Sequence, residues 1–480
     1  MAKKASLVFI PAPAVGHIVS AIELAKVLIA RDHRLSLTVL IIKIPNSPSF
    51  DALIEALITS VTAIRFIYLP QLQFPTPDRA QSTEGLISVF IDDHKPFIKD
   101  TITQLFLATE SESEPTRSRL AGLVVDFFCT SMIDVANELG VPSYLFFTSS
   151  VCFLSFMLHL PNLDTQTHND FKDLETELVI PGFINPVPPH VLPLAVSSKK
   201  QDGYTWYLYH SRRFSETKGI IVNTFAELEP YAASFLSGND GIPPVYPVGP
   251  LLDLQGQMHS VMDQTKFESI KRWLDNQPPS SVVWLCFGSF GSFGVPQVQE
   301  IARGLERSGH RFLWSLRQPS VGLSNPTDYV NHEEVLPEGF LDRTAERGLV
   351  CGWVPQVEVL AHPAIGGFVS HCGWNSTLES IWFGVPVAAW PLYAEQHLNA
   401  FEMVKELEGL VVELRLDYRG GDDLVTAEEV ERAVRSLMDS DCKMRMRIKE
   451  MQEKSRKTLI DGGSSFNSLV CLIKDILDES

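Results

Sequence analysis

Two series of short apolar runs, separated by segments with helical spacing, account for most of the chain. In the first half, strands are predicted at SLVFIPA (6–12), LSLTVLIIKI (35–44), AGLVVDFF (121–128) and VPSYLFFTS (141–149), and helices at IVSAIELAKVLIA (18–30) and SMIDVANELG (131–140). Continuous apolar strands that alternate with helices are typical of a parallel sheet covered on both faces. The first half therefore predicts a doubly wound α/β domain.

The second series begins at SVVWLCFGS (281–289) and continues through RFLWSLR (311–317), GLVCGWV (348–354), GGFVSHCG (366–373), VPVAAWP (385–391) and LVVELRL (410–416). Between the two series, residues 160–200 are rich in Pro, Asn and Asp, which predicts irregular surface, and the Pro/Gly-rich residues 241–260 are typical of a linker. We therefore expect two Rossmann-like α/β domains that face a cleft. The expected divisions are an N-terminal domain (1–245), a linker region (246–275), a C-terminal domain (276–460) and a C-terminal helix packed back on the first domain (461–480).

Composition narrows the possible partners. A length of 480 residues fits two domains, and the formal net charge of −18 argues against a nucleic-acid partner. The seven widely spaced cysteines contain no C-x-x-C, which indicates a reducing compartment and neither a disulfide framework nor a zinc site. Pro11 and Pro13 interrupt the N-terminal apolar run, and no apolar run reaches the ~18 residues of a membrane span. We expect a cytoplasmic monomer without membrane insertion.

The stretch HCGWNSTLES (371–380) places many polar groups where a predicted strand gives way to a helix. Ser376 and Glu379 match the capping box S-x-x-E, which needs no ligand. The alternative is a binding site, because a helix N terminus favours anions and Gly373 lets the backbone approach one closely. In that reading His371 and Asn375 add hydrogen-bond donors, and the Glu379 carboxylate accepts from sugar hydroxyls.

Other polar or aromatic side chains also lie at predicted strand ends, where doubly wound sheets bind ligands. Trp353 ends the strand GLVCGWV and is either a core residue or a platform on which a base stacks. Glu395 and Gln396 follow VPVAAWP and are placed to hold sugar hydroxyls. The glycines of Gly288-Ser-Phe-Gly-Ser-Phe-Gly294 have the spacing G-x-x-G-x-x-G, which departs from the dinucleotide fingerprint G-x-G-x-x-G. An NAD-dependent dehydrogenase is therefore disfavoured.

Residues 353–396, WVPQVEVLAHPAIGGFVSHCGWNSTLESIWFGVPVAAWPLYAEQ, resemble the signature of plant family-1 UDP-dependent glycosyltransferases over its whole length. The likeness is closest to the subgroup that acts on phenolics, flavonoids and some terpenoids. It implies the GT-B fold, in which the domain 1–245 binds the acceptor and the domain 276–460 binds the UDP-sugar. It further implies transfer of glucose from UDP-glucose, as co-substrate, to a small hydrophobic hydroxylated acceptor. It also implies that neither a cofactor nor a metal is needed.

The resemblance also implies roles for individual donor-binding residues. Uracil and ribose would contact Trp353, Val354 and Gln356; the diphosphate would contact Ser289, His371, Asn375 and Ser376; the ribose hydroxyls would contact Glu379; and the sugar would contact Trp374, Glu395 and Gln396. Thr148 would lie on the donor side. The family often carries Asp where Glu395 stands, so the sugar geometry there is less defined, and a Gln such as Gln396 is usual in glucosyl enzymes.

His17 and Asp126 follow two predicted strands of the first domain. Each alone is also explained as a residue at a helix start or cap. Together they form a base and an orienting carboxylate, because an imidazole with an ordinary pKa of ~6.5 accepts a proton near neutral pH and a carboxylate fixes its tautomer. In the resembled family the pair acts as the general base and its partner, which implies an inverting displacement at the anomeric carbon.

Aromatic and hydroxyl residues lie at the ends of two predicted strands of the first domain, in FFCTS (127–131) and FFTSS (146–150), and predict an apolar acceptor site. The expected acceptor contacts are His17, Glu84, Phe127 and Ala394. The one D-x-D, Asp439-Ser-Asp441, is interpreted as a solvated helix end and not as a metal site. The competing hypothesis is a non-catalytic nucleotide-sugar binding protein, which would need no His17–Asp126 pair.

Overall fold

The computed structural model describes residues 4–45, 47–59, 61–106, 119–254, 264–320, 326–407, 409–421, 423–439 and 443–478. The chain divides into two compact units. The first comprises Met1–Pro186, Ala195–Asp253 and Lys457–Ser480, and the second comprises Val187–Leu194 and Leu254–Arg456. Two segments therefore group differently from their neighbours in sequence, because residues 187–194 belong to the second unit and residues 457–480 to the first.

A seven-stranded parallel sheet forms the centre of the first unit, in the order β3-β2-β1-β4-β5-β6-β7. Its strands are β1 (Ala5–Ile10), β2 (Leu35–Ile41), β3 (Arg65–Tyr68), β4 (Arg119–Asp126), β5 (Ser143–Phe147), β6 (Gly219–Val222) and β7 (Val245–Pro247). β1, β4 and β5 are almost entirely buried, as their continuous apolar sequences predict. The short strands β3, β6 and β7 were not evident from the sequence.

A six-stranded parallel sheet forms the centre of the second unit, in the order β12-β9-β8-β13-β14-β15. Its strands are β8 (Val282–Cys286), β9 (Arg311–Ser315), β12 (Gly348–Cys351), β13 (Ile365–Ser370), β14 (Val387–Ala389) and β15 (Val411–Glu413). A separate antiparallel hairpin consists of β10 (Arg317–Gln318) and β11 (Thr327–Asp328). Both large sheets have the strand order of doubly wound Rossmann-like folds, so the predicted fold class is confirmed.

Helices cover the faces of both sheets. In chain order they are α1 (Val15–Arg31), α2 (Pro48–Thr59), α3 (Thr83–Asp93), α4 (Lys95–Phe106), α5 (Met132–Glu138), α6 (Val151–Gln166), α7 (Asp202–Arg213), α8 (Pro230–Ser237), α9 (Gln264–Asp275), α10 (Val295–Ser308), α11 (Phe340–Thr344), α12 (Gln356–Ala361), α13 (Trp374–Phe383), α14 (Gln396–Phe401), α15 (Ala427–Met438), α16 (Lys443–Lys457) and α17 (Ser464–Asp478). The buried positions of α1 include 18, 21, 22, 25 and 28, which is the spacing of one helical face. Among the described residues, no helix is long and apolar enough to cross a membrane.

One local prediction was wrong, and one local alternative is excluded. Residues 160–200 are not simply irregular surface, because α6 continues to Gln166 and the following 3-10 turns bury Phe171 and Val191. The capping box that the S-x-x-E pattern offered as an alternative at Ser376 is absent, since α13 begins at Trp374 with Gly373 as its N-cap. Ser376 is therefore the third residue of the helix, and its side chain is available for another partner.

Candidate active site

Two predicted site residues of each unit lie at the place where strand order reverses. In the first sheet the order reverses between β1, which is followed by His17, and β4, which ends at Asp126. In the second sheet it reverses between β8 and β13, which are followed by Ser289 and His371. Ligands of doubly wound sheets bind outside the carboxyl ends of the strands at such switch points. Topology alone therefore gives each unit one candidate site.

A hydrogen bond of 2.7 Å joins His17 Nδ1 to Asp126 Oδ2. The carboxylate can only accept, so Nδ1 carries the proton and the lone pair resides on Nε2. The His17 side chain is 21% exposed and that of Asp126 is 1% exposed, so the imidazole is accessible while its partner is buried. The arrangement is that of a general base held by an orienting carboxylate.

Asp126 also ends its strand. Its Oδ1 accepts a 3.0 Å hydrogen bond from the Phe128 amide, which makes Asp126 the N-cap of the 3-10 turn Phe127–Cys129. Both carboxylate oxygens are thus engaged, one by the backbone and one by His17. The cap and the functional pair, which the sequence offered as alternatives, are the same side chain.

Thr148 and two aromatic rings surround the imidazole. Thr148 Oγ1 lies 3.2 Å from His17 Nδ1, which makes it a second and longer partner for the Nδ1 proton. The Phe127 and Phe128 rings lie 5.6 and 6.0 Å from the imidazole, centroid to centroid. The structure thus places Thr148 in the first unit beside the His17–Asp126 pair, and its predicted contact with the donor stays a prediction.

The other two predicted acceptor contacts, Glu84 and Ala394, belong to different units. Glu84 lies in the first turn of α3, and no hydrogen bond or ion pair among the described residues joins it to His17. Burial, and secondarily the charge of Asp202, raises the pKa of the Glu84 carboxyl. Ala394 belongs to the second unit and has a left-handed backbone with φ of 52°.

His371 occupies the switch point of the second sheet, directly after Ser370, which pairs with Cys286 of β8. Burial lowers the pKa of its imidazole to about 4, so the ring is neutral near pH 7. Its Nδ1 is buried without a hydrogen-bond partner in the described structure. The backbone approaches the other nitrogen closely, since a Cβ added at Gly288 or Gly373 would lie 2.4 or 2.7 Å from Nε2.

The N terminus of α13 is adjacent to His371 and has no side-chain cap. The first amides of a helix lack acceptors within it, and the helix dipole favours an anion there. Trp374 and Ser376 are buried in this first turn, with half-buried Asn375 between them. Ser289 lies in the turn after β8 and is half-buried. This composition suits a phosphate group better than an apolar ligand.

Gln356 connects two of the other predicted donor contacts. Its Nε2 donates to Ser376 Oγ over 2.7 Å and to Glu379 Oε2 over 2.5 Å. Gln356 is the first residue of α12, so this amide links the N-terminal turns of α12 and α13. The Glu379 carboxylate is therefore oriented before any ligand arrives.

Gln396 holds the loop that precedes it. Its Oε1 accepts from the amides of Leu392 and Tyr393, at 3.0 and 3.1 Å, and the residue is 3% exposed. With the oxygen engaged twice, the Nε2 group is the part of this side chain that can donate to a ligand.

Asn399 was missed by sequence reasoning. Its Nδ2 donates to the Cys372 carbonyl over 3.2 Å and lies 3.5 Å from Glu395 Oε1. Cys372 has a φ of 64°, a strained value for a residue with a side chain. The available signal was the position of Asn399 four residues after Glu395, the N-cap of α14, because this spacing brings the two side chains close together at the start of the helix.

Trp353 lies two residues beyond β12 and is half-buried, with buried Val354 next to it. Its amide donates to Asp328 Oδ1 over 3.0 Å. Asp328 belongs to the hairpin β10–β11, which sequence reasoning did not connect with this residue. Of the D-x-D pair, Asp439 is the C-cap of α15, and Asp441 lies outside the described residues.

Comparison with known proteins gives consistent matches. The family described as "UDP-glucoronosyl and UDP-glucosyl transferase" matches residues 243–452. UDP-glycosyltransferase 71K1 of Malus domestica is 50% identical, with 100% of each chain covered. UDP-glucose flavonoid 3-O-glucosyltransferase 6 of Fragaria ananassa is also 50% identical, with 98% of each chain covered. The matches extend through both units.

Among solved structures, Medicago truncatula UGT71G1 complexed with UDP-glucose superposes with a TM-score of 0.87. It is 46% identical, with 98% of each chain covered. At this identity and coverage the likeness concerns the whole chain and not the Rossmann-like fold alone.

Proposed function

The chain belongs to the UDP-glucosyl transferase family, and we propose that it transfers glucose from UDP-glucose to a hydroxyl of a small apolar acceptor, with inversion at the anomeric carbon. The observation that carries the proposal is the 2.7 Å hydrogen bond between His17 and the buried Asp126. A protein that only bound a nucleotide sugar would have no use for an accessible, oriented base. A hydroxyl group is the acceptor chemistry for which such a base is suited.

In the proposed reaction, His17 Nε2 takes the proton of the acceptor hydroxyl. The acceptor oxygen forms a bond to the anomeric carbon while the bond from that carbon to the diphosphate oxygen breaks, and UDP leaves with the electron pair. Asp126 keeps the imidazole in the required tautomer and stabilises the imidazolium that forms. Thr148 is a second partner for the Nδ1 proton, 3.2 Å from it.

The second unit is proposed to hold the donor. Charge that develops on the leaving diphosphate would be stabilised by the N terminus of α13 and by His371, with Ser289, Asn375 and Ser376 nearby. The low pKa of His371 supports a role as a neutral hydrogen-bond donor in the free enzyme. No metal is proposed in this step, and EDTA is expected to leave the rate unchanged.

The nucleoside and sugar are assigned to the remaining side chains of this unit. Trp353 would stack on uracil, and the carboxylate of Glu379 would accept from ribose hydroxyls. Gln356 supports the second role because it already orients Glu379 through Nε2. Sugar hydroxyls would meet Trp374, Glu395 and Gln396, the last donating through Nε2.

An aromatic acceptor fits the surroundings of the base. The Phe127 and Phe128 rings, within about 6 Å of the His17 ring, give that position an apolar wall. Fragaria ananassa relatives are named flavonoid 3-O-glucosyltransferases, which supports a phenolic acceptor here. Glu84 and Ala394 remain further proposed contacts.

The test is to incubate the protein with UDP-glucose and a panel of flavonols, simple phenols and terpenoid alcohols, and to follow UDP release and product mass. His17→Ala should lower kcat by about 10²–10⁴-fold, whereas the exposed His33→Ala in the same unit should have no effect. The anomeric configuration of the product, read by NMR, tests inversion. Tight UDP-glucose binding without product from any acceptor would favour the non-catalytic alternative.

A further inference from the structure

One side chain of the hairpin β10–β11, that of Asp328, contacts Trp353, the predicted base-stacking residue. β10 follows β9 directly, and its register places Arg317 opposite Asp328. The Nε of Arg317 lies 3.2 Å from Asp328 Oδ1, with the Arg317 side chain 12% exposed and the Asp328 side chain 43% exposed. The Nη2 of Arg317 donates to the carbonyl of Pro326. Opposite charges directly across an antiparallel pair favour that pairing, so Arg317 is one of the groups that orient the Asp328 carboxylate.

The same carboxylate oxygen accepts the amide hydrogen of Trp353 over 3.0 Å. β12 ends at Cys351, so Trp353 lies outside the parallel sheet and its amide bonds to the hairpin instead of to a neighbouring strand. This contact fixes the backbone from which the indole side chain extends.

The Asp328 carboxylate lies very close to the backbone at Gly352. A Cβ added there would lie 2.2 Å from the carboxylate carbon and from Oδ2 of Asp328. Any side chain at this position would push the carboxylate away from the Trp353 amide. The absence of a side chain at Gly352 and the carboxylate at Asp328 are therefore complementary features of one contact.

We propose that Asp328, held by Arg317, is a positioning residue for Trp353 and so determines how well the enzyme binds the uracil base. The inference rests on the proposed function, in which Trp353 is the stacking platform. Asp328 acts through the backbone and does not itself contact the nucleotide. Its loss should raise the KM for UDP-glucose and leave kcat nearly unchanged, because the contact concerns nucleoside binding and not the developing charge.

The experiment measures UDP affinity by calorimetry, and KM and kcat for UDP-glucose, in Asp328→Ala, Asp328→Asn, Trp353→Ala and the double variant Asp328→Ala/Trp353→Ala. Asp328→Ala should weaken UDP binding about tenfold, within the range for one stacked base. Asp328→Asn should weaken it only about threefold, because the amide oxygen still accepts from Trp353 while the charge opposite Arg317 is lost. The exposed Asp342→Ala in α11 is the matched control and should behave as wild type.

The double variant decides whether the effect passes through Trp353. If it does, Asp328→Ala adds almost nothing in the Trp353→Ala background, since coupled residues are not additive. Full additivity, or a fall in kcat at unchanged KM, would overturn the proposal, and so would wild-type affinity in Asp328→Ala. If the alanine variant does not fold, Asp328→Asn is the test, and wild-type UDP affinity in that variant would overturn the proposal. Failure of the wild-type protein itself to bind UDP would instead refute the proposed function.

Discussion

Replacing Gly373 by alanine should disable the phosphate end of the donor site without unfolding the protein. The added Cβ would lie 2.7 Å from His371 Nε2, and contacts this short are not tolerated, so the imidazole must move. The backbone at Gly373 has φ of −61° and ψ of 141°, values that alanine adopts without strain. Loss of the favourable N-cap glycine should lower the free energy of unfolding by no more than about 1 kcal/mol. The consequence is therefore local to His371.

The expected loss of activity in Gly373→Ala follows from the proposed role of the His371 imidazole. A hydrogen bond to a charged group contributes about 1.5–3 kcal/mol, and a tenfold change in rate corresponds to about 1.4 kcal/mol. Displacing the ring should lower kcat/KM for UDP-glucose by roughly 10- to 100-fold. Initial rates of UDP release at varied UDP-glucose measure this directly, and thermal unfolding reports the integrity of the fold.

Alanine variants at two other glycines distinguish crowding of the His371 ring from backbone strain. Gly288 has φ of 74°, and its added Cβ would lie 2.4 Å from the same His371 nitrogen, so its alanine variant combines both effects. Gly309 has φ of 75° with no atom within 4 Å of the added Cβ, so its variant has strain alone. Gly309→Ala should lower the melting temperature and keep wild-type kinetics. Wild-type kcat and KM in Gly373→Ala would refute the argument, as would an equal kinetic loss in Gly309→Ala.

Two further predictions concern stability in acid and contacts to the sugar. Burial, and secondarily the charge of Arg213, lowers the pKa of His210 to about 3. In the unfolded chain the His210 imidazole has its ordinary pKa of ~6.5 and binds a proton that it does not bind in the folded chain. The free energy of unfolding therefore falls as the pH drops from about 6.5 towards 3. His210→Gln should reduce the loss of urea midpoint between pH 7 and pH 5, and an unchanged loss would contradict this. Gln396→Glu keeps an oxygen for the Leu392 and Tyr393 amides but removes the Nε2 donor. The kcat/KM for UDP-glucose should therefore fall about tenfold at an unchanged melting temperature. Wild-type kinetics in this variant would rule out the proposed sugar contact.

The strand pattern predicted much of the fold because parallel strands buried on both faces have continuous apolar sequences. β1, β4, β8 and β13 were evident for this reason. β3 was missed because it is only four residues long and none of its residues is buried. β7 was missed because Val245–Pro247 lies among prolines and was interpreted as linker. Short edge strands take their structure from the neighbouring strand and have little signal of their own.

Candidate site residues could be chosen from the sequence wherever a polar residue ends or follows a buried strand, as His17, Asp126 and His371 do. Their partners from elsewhere in the chain could not be predicted. Asp328 accepts from the Trp353 amide across 25 positions, and its proposed role depends on the missing side chain of Gly352. The S-x-x-E pattern offered a capping box as one alternative at Ser376 because that pattern is local, whereas the structure has Gln356, 20 residues earlier, donating to the Ser376 hydroxyl.

The two units have one strand order and two proposed kinds of chemistry. In each sheet two candidate residues end or follow the pair of strands at which the order reverses, so the topology indicates where a site lies but not what it does. In the first unit the strand β4 ends in a carboxylate that caps its own 3-10 turn, and the capping group remains close enough to hold an imidazole. In the second unit β13 leads into a helix that begins at a glycine with no side-chain cap, which leaves the helix N terminus as the local positive charge. The difference between the proposed proton-accepting site and the proposed phosphate-binding site therefore arises from a few residues at the end of one strand. These residues, more than the sheets, should determine which substitutions abolish catalysis and which abolish donor binding.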